Sequence, residues 1–312
     1  MLKFIAQRLA FSIPVFLGVA TIVFLVVRVI PGDPAVAALG DYASKEAVEA
    51  LRQRMGLNHP LPVQYVQFLG SLLRGDLGKS MITGTWIRDD IAHALPYTLE
   101  LTVLAIVIGS LLGIPIGVYT AIRRNRLADY IGRVLSLTGL SVPAFYLGIL
   151  LILLLAIYFN LLPAVGGGGM DDLKENLSHL ILPALTLGLV MTASVARLAR
   201  SAMLNVLRQD YVRTARAKGL KERIVHLRHA LRSALIPIVS VTGIWAVSLI
   251  GDSVTVEVVF ARPGLGKMMV GAILQRDYTS LQSVMVVYTA FVVVINLLID
   301  LIYGWVDPRI RH

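Results

Sequence analysis

Three groups of residues in this 312-residue chain have types and spacings that bear on chemistry. Gly78-Lys79-Ser80 has the ending of a phosphate-binding loop, in which backbone N–H groups and a lysine cradle phosphates. The full pattern needs a further glycine at position 73, where the chain has Leu73, so nucleotide chemistry is not assigned to it. His226 and His229 are three apart on an expected helix, a workable separation for two metal ligands, but no third candidate lies near them and no metal site follows. The chain has no cysteine, which excludes disulfides, thiolate metal sites and a cysteine nucleophile. No Ser/Lys or His/Asp/Glu set falls at one membrane depth, as an intramembrane enzyme would require. No residue is therefore assigned to catalysis, to a metal or to a cofactor.

The third group is a basic island, 208–237, with long apolar runs on both sides. Leu204, Leu207, Tyr211 and Ala215 recur at helical spacing among Arg208, Arg213 and Arg216, which predicts an amphipathic helix. Gly219 ends it, since glycine takes the positive φ of a helix stop without steric cost. Ile224, Leu227, Leu231 and Leu235 then mark a second helix running toward Pro237. Read on charge alone, the island is a solvated basic loop.

The elements that hold this island are membrane spans. With 56% hydrophobic and 15% charged residues, the chain is too apolar for a soluble globular protein. A span needs about 20 mostly apolar residues, and six stretches qualify: 9–27, 101–122, 134–162, 180–196, 233–251 and 283–299. The fold expected is all-α and polytopic. The net charge of +10 lies in short loops, so it points to the membrane surface and its lipid, not to nucleic acid. Lys and Arg crowd the loops after the second and fourth spans, which places those loops, and with six spans both termini, in the cytoplasm. The segment 31–96 is the sizeable external part, with helices expected over 44–55, capped by Ser44 and closed by Gly56, and over 61–73. Gly166 to Gly169 reads as a flexible outer turn.

Inside the spans, ionisable residues are costly and usually functional. Asp252 and Glu257 either line a polar passage or hydrogen-bond neighbouring helices. Ser141, Pro143 and Phe145 sit at a proline kink that would suit a gate.

The run Tyr211-Val212-Arg213-Thr214-Ala215-Arg216-Ala217-Lys218-Gly219, closed by Ala234-Leu235-Ile236-Pro237, resembles the coupling loop of binding-protein-dependent ABC importer permeases of the dipeptide, oligopeptide and nickel branch. Pro31-Gly32-Asp33-Pro34, Glu257-Val258-Val259-Phe260 with Pro263-Gly264-Leu265-Gly266, and Asp307-Pro308-Arg309 extend the resemblance almost end to end. The wider pattern has Glu-Ala-Ala before the loop glycine where this chain has Arg213-Thr214-Ala215, and its glycine-to-proline distance is shorter. Both departures are familiar from the peptide branch. Asp252 stands where the family carries a small residue.

The resemblance implies a type I importer permease fold of six transmembrane helices in a bacterial inner membrane. It implies a first span at 1–30, an external helical region at 31–96, a permease core at 97–306 with its coupling loop at about 205–233, and a cytoplasmic tail at 307–312. A second homologous permease would complete a heterodimeric channel. One or two cytoplasmic ATPase subunits would hold ATP and magnesium, and an external binding protein would deliver the solute. Tyr211, Arg213, Thr214, Ala215, Arg216, Ala217, Lys218, Gly219 and Pro237 would form the coupling site. Peptides are the expected cargo, with nickel chelates, glutathione and sugars as alternatives. The rival from another class is an ion-driven transporter or channel acting without an ATPase.

Overall fold

In lipid every backbone N–H and C=O must be satisfied within its own segment, and the apolar runs of this chain meet that requirement as long helices. The computed structural model describes residues 2–29, 34–39, 43–54 and 56–306, which are almost entirely helical. Pro31-Gly32-Asp33, Asp307-Pro308-Arg309 and the expected tail at 307–312 lie outside the described residues. In order the helices are α1 (Leu2–Val29), α2 (Pro34–Leu39), α3 (Lys45–Arg54), α4 (Leu61–Leu73), α5 (Ile87–Ile122), α6 (Leu127–Ser141) and α7 (Ala144–Leu151), which runs on as π-helix over Ile152–Tyr158. There follow α8 (Leu173–Val206), α9 (Asp210–Ala217), α10 (Glu222–Ile224), a π-helical stretch at Val225–Ala230, α11 (Leu231–Val259), α12 (Leu265–Leu274) and α13 (Tyr278–Val306). From Glu222 to Val259 the chain is one helical rod.

Among the described residues, five helices are long and apolar enough to cross a membrane, and a sixth crossing exists when α6 and α7 are taken together. Those two meet at an angle of 104°. The third expected span, 134–162, is thus broken. Its apolar run is continuous, but Val142 and Pro143 take extended conformations, with ψ of 121° and 141°. Proline forces the residue before it out of the helical region.

The described chain forms two compact units, one built on Thr98–Arg262 and the other on Leu2–Tyr97 with Pro263–Leu297. Pro263–Leu297, grouped by sequence with the core, joins the N-terminal unit. In that unit α4 follows the expected limits, Ser44 accepts from the Ala47 N–H as the α3 cap, and Gly56 has φ +66°. Phe24 of α1 stacks on Phe68 of α4 and meets Tyr65 edge-on, so α4 packs on α1. Gly78-Lys79-Ser80 is one arm of a short antiparallel bridge, Lys79 pairing with Trp86 across a turn at 81–83, and the buried Ser80 hydroxyl donates to buried Asp277 (2.5 Å), an occupied role unrelated to phosphate.

The Thr98–Arg262 unit is organised by α8. Of its most apolar 18-residue window 72% is buried, against at most 39% for the other four long spans. Its buried face is mostly small, with Ala184, Gly188, Ala193, Ala196 and Ala199. Opposite it α5 carries Gly109, Gly113 and Gly117, four apart on one face. A Cβ there would lie 2.6 Å from Met191 Cγ, 2.7 Å from Val195 Cβ and 2.4 Å from the Ala196 carbonyl oxygen, respectively. Helix pairs in membranes associate through such close backbone approach, because lipid supplies no hydrophobic drive between them. α6 joins in the same way, with Gly139 against Ala193.

Gly117→Ala is expected to lower thermal stability in detergent by about 1–3 kcal/mol, the usual cost of overpacking, because the obstructing atom is backbone and cannot rotate away. Gly18→Ala, with nothing within 4 Å of its Cβ, is expected to be neutral or stabilising. Equal melting temperatures for both variants would remove the close-packing account.

Candidate functional site

The basic island folds as a helical elbow between two long rods. α8 ends at Val206, a tight turn passes Gln209, and α9 spans Asp210–Ala217. Gly219 takes φ +75° while its N–H donates to the Arg216 carbonyl (2.9 Å) and that of Leu220 to Ala215 (3.4 Å). The stop expected at Gly219 is therefore present, and the Glu222–Val259 rod starts three residues on.

α9 has a clear inside and outside. Val212 and Ala215 are buried against Val225, Val206 and Leu207. Tyr211, Arg213, Thr214, Arg216, Ala217 and Lys218 are exposed. Of the two residues that the sequence places on one face of this helix, Tyr211 is turned outward and Ala215 inward. The helical phase is set by Val212 three residues before it, an apolar residue that the sequence reading passed over. Arg216 donates from Nε and Nη2, one edge of its guanidinium, to the two oxygens of Glu222 (2.9 and 3.3 Å), and His226 reaches the same carboxylate at 2.9 Å. This clamp bridges the Gly219 turn, so Arg216 already has an acid within its own chain. Arg213 lies 3.5 Å from Asp210, with both groups in solvent. Pro237 is exposed inside α11, where it removes one helical hydrogen bond.

Beneath the elbow, Val118 and Ala121 of α5, Ala199 and Met203 of α8 and Ala230, Ala234 and Ile238 of the rod form one apolar cluster. Beside it Asp129, fully buried, accepts from Arg200 Nε (2.6 Å) and Nη2 (2.9 Å) and from the Asn125 N–H (3.0 Å). In the sequence Asp129 is only an offset to neighbouring arginines; its pairing with a residue 71 positions away has no local signature.

The candidate pathway residues are placed as follows. Ser141, Pro143 and Phe145 are exposed at the bend between α6 and α7. Asp252 is exposed on α11, whereas Glu257 is buried and accepts from the Thr98 hydroxyl of α5 (2.7 Å). Just beyond, buried Arg262 pairs with Glu100 and donates to Asn176 Oδ1 (3.1 Å) and the Gly167 carbonyl (3.3 Å). Asn176 in turn donates to Glu100 (2.8 Å). The Gly166 N–H donates to the Phe260 carbonyl (2.7 Å), so the glycine turn is tied down, and Glu100 is part of an ion pair. No group of three or more metal-ligating side chains occurs among the described residues.

Comparison with known proteins places the whole chain. Residues 113–312 match the family described as binding-protein-dependent transport system inner membrane component, and residues 1–102 match its N-terminal membrane component. The glutathione transport system permease protein GsiC of Pectobacterium atrosepticum is 41% identical over 312 residues, covering 100% of both chains. The dipeptide transport system permease protein DppB of Escherichia coli is 36% identical, covering 100% of this chain and 99% of that protein. Among solved structures, the inward-facing MetNI methionine ABC transporter aligns over 70% of this chain and 96% of its own, with a TM-score of 0.58 at 20% identity. That likeness bears on the fold alone.

The Asp129–Arg200 pair gives a test of what holds the elbow's base. Asp129→Asn leaves the Arg200 charge without its acid and is expected to cost about 3–5 kcal/mol, as removal of one partner of a buried pair does. Adding Arg200→Met should recover most of that loss. Thermal unfolding of the single and double variants in detergent reads it, and a single variant that melts with the parent would refute the role.

Proposed function

We propose that this chain, which belongs to the family of binding-protein-dependent transport system inner membrane components and is a permease subunit of an ABC importer, carries short peptides as one half of a transmembrane pathway. It is not an enzyme. Members of the family work with separate ATPase subunits and a binding protein. On our reading the other half of the pathway is a second, homologous permease, and one or two cytoplasmic ATPases bind ATP and magnesium. An external binding protein presents the cargo, and both termini of this chain lie in the cytoplasm. The relatives support the peptide assignment: one is named for dipeptide and another for glutathione, itself a small peptide. None of them favours an ion-driven carrier.

The observation that carries the coupling role is α9. It is two turns long, packed inward through Val212 and Ala215, clamped to the next rod by Arg216 and Glu222, and exposed along Tyr211, Arg213, Thr214, Ala217 and Lys218. A short helix held at both ends moves as a body, since packed elements shift between discrete arrangements. An ATPase gripping its outer face would therefore pull on α8 and on the Glu222–Val259 rod together. Gly219 makes the turn, while Pro237 and the π-helical Val225–Ala230 give the rod places to bend. Ser141, Pro143 and Phe145 supply a second hinge. Glu257, bonded to Thr98, fixes α11 to α5, and Asp252 offers a polar group to the passage.

The test is ATP-driven uptake of dialanine by the whole complex in proteoliposomes, with subunit composition read on the same preparation. Tyr211→Asp with Arg213→Glu should cut recovery of the ATPase and uptake by about thirtyfold, corresponding to the ~2 kcal/mol of an interface hot spot. Arg88→Ala, an exposed substitution distant in sequence from the elbow, should leave both intact. Retained ATPase binding in the double variant, or uptake by the parent without ATP, would overturn the reading.

A further inference from the structure

The unit formed by Leu2–Tyr97 and Pro263–Leu297 contains a cavity of about 410 Å3 among α1, α4 and the start of α13. Arg28, the last basic residue of α1, lines it. Its guanidinium is held in place. Nε donates to Gln64 Oε1 (3.0 Å), Nη1 donates to Gln282 Oε1 (3.0 Å) and to the Phe24 carbonyl (3.4 Å), and the group lies 3.7 Å over the Phe24 ring. Gln64 is itself buried and oriented, since its Nε2 donates to the Leu57 and His59 carbonyls (3.1 and 2.9 Å) and its oxygen is left for Arg28.

These contacts position a cation without neutralising it. Among the described residues no carboxylate pairs with Arg28, and Nη2 has no acceptor. With Nε and Nη1 engaged by two amides and a carbonyl, the Nη2 amino group is left to donate a charge-assisted hydrogen bond to an oxygen of a carboxylate or phosphate. The rest of the lining is mixed: Gln67, Asp76 and Tyr278 stand beside apolar walls. The volume falls within the range of small-ligand sites, which combine apolar walls with a few placed polar groups. α1 ends here and α13 begins here, so the cavity sits where two spans reach the water, a level open to both dissolved molecules and lipid headgroups.

We propose that this cavity is an oxyanion-binding site in which Arg28, oriented by Gln64 and Gln282, receives the carboxylate or phosphate of a small molecule. Two sources offer that chemistry, the carboxylate of a dissolved peptide and the phosphate of an anionic lipid. Asp76 on the same wall gives a zwitterionic peptide a place for its ammonium. The inference does not depend on the transport reading, since binding at Arg28 is measurable without ATP or uptake.

The full-length chain, purified in a neutral detergent with whatever subunits accompany it, is titrated separately with dialanine, phosphatidylglycerol and inorganic phosphate. Native mass spectrometry and thermal shift read binding. At least one probe should bind the parent, and Arg28→Gln should weaken it about tenfold, the loss of a charge-assisted hydrogen bond. Binding of dialanine alone identifies a solute site, and binding of phosphatidylglycerol alone a lipid site. Should Arg28→Gln not fold, Arg28→Lys keeps the charge but loses the paired amide contacts that aim Nη2, and a several-fold weakening is expected. Failure of all three probes to bind, or equal binding by parent and folded variant, overturns the proposal.

Discussion

The close contact between α5 and α8 sets the terms for the Thr98–Arg262 unit. With Gly109, Gly113 and Gly117 facing Met191, Val195 and Ala196, the two backbones approach to a distance no side chain would permit. In lipid that closeness is the source of attraction, because tails solvate leucine as well as another helix does. Once α8 is fixed this way its remaining faces are shared by α6, α7 and α11, and its C-terminal end becomes the anchor of the α9 elbow.

Charge sets the length scale along the same helix. α8 contributes Asn176 to the Glu100–Arg262 cluster and Arg200 to the Asp129 pair. From position 176 to 200 is 24 residues, about 36 Å at 1.5 Å per residue, slightly more than the roughly 30 Å of a hydrocarbon core. The two polar clusters therefore fall near opposite membrane faces, where desolvation costs less than at midplane. Between them α8 is almost wholly apolar or small. Sliding it along α5 would break both clusters at once and put glycines opposite the wrong side chains.

Much of this was legible in the residues. Periodicity and caps located α3, α4 and the stop at Gly219, because those signals act within one or two turns. Hydropathy located the spans but was blind to the 104° bend, since an apolar run looks the same straight or broken; Pro143 alone carried the warning. The inward phase of α9 lay in Val212, masked by the surrounding arginines that drew the reading to charge. The four-residue glycine spacing on α5 was a readable signal that was missed. Glu100, Asn176 and Arg262 were not readable as a group, since each is ordinary in its own segment and only the fold unites them.

The elbow gains its meaning from this uneven stiffness. Its first support, α8, is the most deeply packed helix of its unit and is tied near one end by the hydrogen bonds of Asn176 and near the other by the Arg200–Asp129 ion pair. The second, the Glu222–Val259 rod, begins with a π-helical stretch at Val225–Ala230 and meets Pro237 soon after. Both features loosen the regular ladder of backbone hydrogen bonds. A force applied to α9 is therefore resisted by α8 and yields along the rod. On the proposed reading, displacement of the elbow would emerge as bending of α11 near Pro237. Glu257, held by Thr98 at the far end of that helix, would then act as the fixed point about which the bend turns.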